Sequence, residues 1–255
     1  MPKIAFWGTP ALTTTYLDAL LNAGMPPVVV ITNPDRPKGR GHELAPTPAK
    51  VWALLHNIPV LQPEKLDESF DFTLSTFDLD ISIVVAYGSI MPERIINIPK
   101  YKTLNVHYSL LPKYRGAAPT ESAILNGDAE TGSAIQIMAK KLDSGDIIAL
   151  EKTPIGPDET TTELRGRLTD IGAQLLVKTI PDYIAGKIMP IAQDESGATH
   201  SGKIKKEDGL LDLDADGILN YRKYRAYIEW PRIYFFKNDK RVIVTKAHME
   251  NEKFI

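Results

Sequence analysis

Residues 81–88, ISIVVAYG, form a continuous strand-like run, apolar but for Ser82 and rich in β-branched side chains, and a strand of that kind must be covered on both faces. Such coverage implies a parallel sheet with helices packed above and below it. KIAFWG (3–8) and VVVITN (28–33) are two more such strands; the segment between them, ALTTTYLDALLNAG (11–24), has helical spacing and closes on a glycine. APTPAKVWALLHN (45–57) predicts a second helix and IPVLQ (58–62) a further strand. Strands alternating with helices predict right-handed βαβ units, so the fold class is α/β with a mostly parallel sheet.

The pattern continues with TLNVHYS (103–109) as a strand, AAPTESAILNGD (117–128) as a helix, and GSAIQIMAK (132–140) and DIIALEKTPI (146–155) as strands. A long helix is predicted from Thr160 to its stop at Gly186. The mixed, polar stretch 189–205 is expected to be a linker between a main domain, 1–188, and a C-terminal unit, 206–255. In that unit DADGILNYRKYRAYIEW (214–230) predicts a helix, and RIYFF (232–236) and RVIVTKAHM (241–249) predict strands. Two strands alone are marginal in water, so the unit is expected to pack on the main domain through Tyr224, Ile228 and Trp230.

Composition removes several kinds of chemistry. With no cysteine there is no disulfide, thiol nucleophile or zinc–thiolate site, and the five histidines are scattered without metal-ligand spacing, so no metal is expected. No apolar run reaches the roughly 18 residues of a membrane span, and MPKIAFWGTP lacks a signal-peptide layout. The expectation is a cytoplasmic monomer. A net charge of −2 argues against a uniformly basic nucleic-acid coat, but residues 201–255 hold twelve Lys and Arg against nine Asp and Glu. FWGTP occupies the place of a dinucleotide fingerprint with one glycine where G-x-G-x-x-G has three, and no P-loop is present. Gly8 is therefore assigned to a tight strand-to-helix turn.

Asn105 and His107 stand two apart on a predicted strand, so both side chains point to one face. An amide can stabilise a developing oxyanion, and an imidazole can move a proton near neutral pH. By themselves the two residues more often form an ordinary polar patch. Asp143, in the later loop LDSGD (142–146), adds a carboxylate able to orient the imidazole.

HYSLLPKYRGAAP (107–119), with Asn105 before it and LDSGD after it, resembles the 10-formyltetrahydrofolate-dependent formyltransferases. NPDRPKGRGHELAPTPAKVWA, IPVLQPEKL, IVVAYGSIMP and NGDAETGSAIQIM also resemble segments of that family, in the same order, and the similarity runs over roughly residues 1–246. It implies a Rossmann-like formyltransferase domain with a mostly parallel sheet, plus a short C-terminal helix and β-strand unit. Asn105, His107 and Asp143 match the family's catalytic trio. Val85, Ala86, Tyr87, Gly88 and Ile90, and the loop Ser109, Leu110, Leu111 and Pro112, match its folate pocket, with 10-formyltetrahydrofolate as co-substrate.

Within the family, the loop Asp35–Gly41 resembles that of enzymes formylating initiator Met-tRNA for translation initiation, with Arg40 at a critical position beside Arg36 and Lys38. Lys203, Lys205 and Lys206 are further candidates for tRNA contact, as are Arg222, Lys223 and Arg225, interleaved with Tyr221 and Tyr224. Amino sugar nucleotides are the alternative acceptors, and a formate-releasing hydrolase or a non-catalytic binding protein are more distant readings. Two features depart from the family pattern. Tyr108 stands where relatives commonly carry Gly, and about fifty residues follow the linker where relatives carry a β-barrel of about 100. The shorter unit is expected to bind tRNA more weakly, with less dependence on salt.

Overall fold

The computed structural model describes every residue except 39–42 and 251–252. The first half runs β1 (Ile4–Gly8), α1 (Leu12–Asn22), β2 (Val29–Ile31), β3 (Arg36–Lys38), β4 (Glu43–Ala45), α2 (Pro48–Leu55) and β5 (Val60–Leu61). It continues with α3 (Glu68–Ser75), β6 (Ile81–Val85), α4 (Glu93–Ile96) and β7 (Thr103–His107). Next come β8 (Arg115–Gly116), α5 (Pro119–Asn126), β9 (Glu130–Ile137), β10 (Ile147–Pro154) and α6 (Thr161–Ile184). The remainder is β11 (His200–Ser201), α7 (Gly217–Ala226), β12 (Tyr234–Lys237), β13 (Lys240–Ile243), β14 (Met249–Glu250) and β15 (Lys253–Phe254).

The main sheet has seven strands in the order β10-β9-β7-β6-β1-β2-β5. From β5 through β7 the neighbours are parallel, while β9 runs antiparallel to β7. The chain moves outward from β1 through β2 to β5, then returns to the other side of β1 with β6. The order thus reverses between β1 and β6, and in open α/β sheets ligands bind outside the carboxyl ends of strands at such a point. Gly8 ends β1 there: a Cβ on it would lie 2.7 Å from the Thr13 side chain and 3.0 Å from the Val85 carbonyl oxygen.

Two compact units emerge. The first comprises Met1–His107, Ala134–Leu150 and Thr169–Gln193. Its core sets the Trp7 ring edge-on to Phe70 and Tyr87, at centroid distances of 5.8 and 5.2 Å, while the indole N–H donates to Ser82 Oγ. Helix α3 escaped the sequence reading because Phe70 and Leu74 alone turn inward while Phe72 is exposed; the Asp67 carboxylate caps it by accepting from the Phe70 N–H. The loop expected over 35–41 begins instead as a strand, Arg36 pairing with Ala45 and Pro37 with Leu44 in an antiparallel ladder.

The second unit comprises Tyr108–Ser133, Glu151–Leu168 and Asp194–Ile255. Ile124, Leu164, Leu168, Leu211, Ala226, Tyr227 and Ile233 form its core, with Tyr108 and Tyr224 packed against it. The Tyr108 ring, where the family pattern has Gly, is therefore partly buried against this core. Trp230 is 56% exposed and does not serve as the expected anchor. Helix α7 ends at Ala226, so Trp230 falls out of helical phase and Ala226 and Tyr227 take its place. Arg225 also departs from expectation: it is buried and donates to the carbonyls of Gly156 and Glu159, while Tyr221 donates to Asp158. These side chains hold the 156–159 turn and face no solvent phosphate.

Residues 189–205 carry more structure than a linker requires. In the first unit Ile191 and Ile147 exchange both backbone hydrogen bonds, at 2.8 and 2.9 Å. In the second, the fully buried Arg115 guanidinium donates twice to the Glu195 carboxylate, and β11 pairs with β8. Gly116 permits that pairing, since a Cβ there would stand 2.1 Å from the Ser201 carbonyl oxygen.

Candidate active site

Strand β7 presents Asn105 and His107 on one face, as their two-residue spacing requires. The neighbouring β9 ends at Ile137, and the following turn brings Asp143 back toward them. Asp143 Oδ1 accepts from Gln136 Nε2 at 2.8 Å and from Asn105 Nδ2 at 3.4 Å, while Oδ2 lies 3.7 Å from His107 Nδ1. The His107 and Asp143 side chains are only 6% and 10% exposed, so water screens their interaction weakly. One carboxylate thus addresses an amide with one oxygen and an imidazole with the other.

The turn is held in an unusual shape. Asp143 has φ 49°, a left-handed conformation that costs a non-glycine residue roughly 1 kcal/mol and persists where surrounding contacts determine it. Gly145 brings the turn against β9: a Cβ there would lie 1.7 Å from the Ile137 carbonyl oxygen. Gln136 and Gln193 both bond to this turn, and the sequence reading missed both. Gln136 had a visible signal, as a polar residue in the apolar run of a buried strand. Gln193 sat unmarked in a polar stretch.

At the sheet's switch point, Asn33 Nδ2 donates to the Tyr87 carbonyl at 2.7 Å and to Thr9 Oγ1 at 3.1 Å, and Ser89 donates to Asn33 Oδ1. A cavity of about 450 Å³ opens there, lined by Thr9, Asn33, Pro34, Pro46, Thr47 and Ser89 among others, with Arg36 also on its wall. Of the residues expected around a folate, Val85 and Tyr87 bury their side chains in the core, whereas Ile90 is 93% exposed. Burial pushes the Tyr87 hydroxyl up to about 12, so it stays protonated near neutral pH. Ala86 and Gly88 take positive φ, of 45° and 83°.

In the second unit, Ser109 is fully buried and donates to the Lys113 carbonyl at 2.6 Å, closing the SLLP turn. Leu110 and Pro112 line a separate cavity of about 440 Å³ with Lys113, Tyr114 and Asp128, while Leu111 is buried. Lys203, Lys205 and Lys206 are exposed. In the first unit, exposed Arg36 approaches Glu64 at 3.9 Å. Lys38 lies on β3, and Arg40 lies outside the described residues. The Lys50 ammonium and the Gln62 amide hold the Asp35 carboxyl below its ordinary value. Among the described residues no cluster of His, Asp and Glu could hold a metal ion, and no helix is long and apolar enough to cross a membrane.

An amide, an imidazole and a shared carboxylate beside the switch point of an α/β sheet suit acyl-group transfer. Residues 2–180 match the model of the formyl transferase family, and residues 203–254 that of the formyl transferase C-terminal domain. The chain belongs to the formyl transferase family. Its relatives include the methionyl-tRNA formyltransferase of a Sulfurihydrogenibium species, 43% identical over 247 residues that cover 96% of this chain and 79% of that one. The methionyl-tRNA formyltransferase of Geobacter sulfurreducens is 39% identical over 252 residues, covering 98% of this chain and 79% of that one. A solved N-formyltransferase of Helicobacter canadensis, in complex with folinic acid and dTDP-3-aminofucose, has a TM-score of 0.75 at 21% identity, covering 99% of this chain and 89% of that chain. At that identity the likeness bears on the fold alone.

Proposed function

We propose that this chain transfers the formyl group of 10-formyltetrahydrofolate to the α-amino group of methionyl-initiator tRNA. The observation that carries the chemistry is the Asp143 carboxylate divided between Asn105 and His107. Support for the acceptor comes from the methionyl-tRNA formyltransferases at 39% and 43% identity.

The α-ammonium group of the acceptor has a pKa near 8 and must lose a proton to attack. The amine nitrogen then bonds to the formyl carbon while the carbonyl electron pair moves onto oxygen. Asn105 has two amide N–H groups, so one can hold Asp143 while the other receives the oxyanion. His107, with Nδ1 facing Asp143, uses Nε2 to take the proton from the attacking amine. The intermediate collapses by re-forming the carbonyl and breaking the bond to N10, which takes up the proton that His107 returns. Asp143 orients the imidazole and stabilises its cation.

Main chain at Ala86 and Gly88 is assigned to the donor, and Arg36, Lys38 and Arg40 to phosphates near the tRNA's acceptor end. Lys203, Lys205 and Lys206 are the corresponding candidates in the second unit.

Incubating the protein with 10-formyltetrahydrofolate and charged Met-tRNA, beside a panel of amino sugar nucleotides, tests the reading. Formylmethionyl-tRNA should accumulate while the sugars remain unmodified. Preferential formylation of a sugar would replace the acceptor and leave the reaction class standing.

A further inference from the structure

Gln193 follows the segment that Ile191 pins against Ile147, and its side chain reaches the turn carrying Asp143. The amide nitrogen Nε2 lies 2.7 Å from the Gly145 carbonyl oxygen, 3.0 Å from that of Asp143 and 3.4 Å from Gln136 Oε1. An amide has two N–H groups, so the two shorter contacts are the strong ones and the third is the weakest. The two carbonyls belong to the peptide planes 143–144 and 145–146, and bonding both fixes the direction of those two planes across the turn. The first of them is attached to the Asp143 Cα and so helps set where its side chain leaves the backbone, while the second anchors the turn that carries it.

Gln136, only 1% exposed, completes the arrangement by donating to Asp143 Oδ1 at 2.8 Å. Backbone and carboxylate of one residue are thus each gripped by a glutamine. We propose that Gln193 is a positioning residue for formyl transfer, holding the Asp143 turn so that the carboxylate addresses Asn105 and His107 together. The proposal rests on the reading of Asp143 as part of the catalytic trio. It gives residue 193 a role in rate although Gln193 itself touches no reacting atom.

The test replaces Gln193 by a residue of similar length without a donor, Gln193→Met, with Gln193→Glu as a second isostere if the first lowers the melting temperature. Misplacement of a catalytic group by about 1 Å can cost on the order of 100-fold. We expect kcat to fall roughly 10- to 100-fold, with KM for the formyl donor close to wild type. Amide hydrogen exchange over residues 141–146 should quicken while the sheet strands stay protected.

Introduced into Asp143→Ala, Gln193→Met should lower kcat no further, because residues acting through one group are not additive. A purely structural role would make the two losses multiply. Rates are read with whichever acceptor the wild-type protein formylates, so an error in the acceptor leaves the test intact. Wild-type kcat in both donorless variants, or multiplicative losses in the double variant, would overturn the positioning role without touching the functional reading.

Discussion

Asn105 on β7 and Gln136 on β9 are register partners across the antiparallel pair, and both amides donate to a single oxygen, Oδ1 of Asp143, at 3.4 and 2.8 Å. Directly opposite residues in such a pair share a face at about 5 Å between their Cβ atoms, so sheet register alone brings the two amides together. Their shared hold on Oδ1 leaves Oδ2 for His107 Nδ1, at 3.7 Å. The junction between β7 and β9 therefore determines how the candidate trio is aimed.

Asn105→Ala removes the oxyanion donor and one partner of Asp143. By comparison with loss of an oxyanion-hole donor elsewhere, kcat should fall on the order of 100- to 1,000-fold with little change in KM for the donor. Steady-state kinetics decide the matter. A rise in KM with kcat preserved would move Asn105 from the chemistry to ground-state binding.

Gly145 and Gly166 should respond in opposite directions to alanine. A Cβ at Gly145 meets the Ile137 carbonyl oxygen at 1.7 Å, so Gly145→Ala should destabilise by about 1–3 kcal/mol, as overpacking does, and disturb Asp143 as well. Gly166 is exposed within α6 with nothing inside 4 Å of its added Cβ. Gly166→Ala should stabilise by about 0.5–1 kcal/mol through helix propensity. Thermal unfolding of the two variants checks both signs.

Asp35 gives the fold a pH-dependent contribution. Hydrogen bonds from the Lys50 ammonium at 2.6 Å and the Gln62 amide at 2.7 Å keep the folded-state carboxyl below its ordinary 3.8. The unfolded chain binds the proton first as pH falls, so the stabilisation is complete above 3.8 and is lost as pH drops through the lower folded value. Asp35→Asn should thus lower the melting temperature at pH 7, with a gap from wild type that narrows steadily below pH 4. A gap of constant size from pH 7 to pH 3 would refute this account.

Arg40→Ala should weaken use of Met-tRNA while leaving formylation of a small amine surrogate nearly intact, because the residue is assigned to the acceptor alone. Added salt should depress the tRNA reaction more than the surrogate reaction as phosphate contacts are lost. Equal losses with both acceptors would place Arg40 in the donor site or in folding.

The parallel sheet was legible because β1, β2 and β6 are almost wholly apolar runs, and burial on both faces writes itself into composition. Asn105 and His107 were legible for a similarly local reason, their period-2 spacing on a strand. Gln193 was not, because its role depends on the Ile147–Ile191 bridge, a contact across forty-four positions that no window of sequence displays. Arg225 misled in the opposite sense. A cation among tyrosines resembles a phosphate contact, yet its partners are the carbonyls of Gly156 and Glu159, distant in sequence and adjacent in the fold. Trp230 was expected to anchor the C-terminal unit from a helix running to residue 230, but that helix stops at Ala226.

The most direct test of the central claim is single-turnover formyl transfer from 10-formyltetrahydrofolate to Met-tRNA by wild type, His107→Ala and Asp143→Ala, with donor affinity measured in parallel. Wild type should deliver the formyl group to the methionyl nitrogen. Both variants should bind the donor nearly as well and be slower by several orders of magnitude, because the two groups act in the transition state. A single-turnover rate near wild type in either variant would contradict the assignment of His107 and Asp143 to the chemistry.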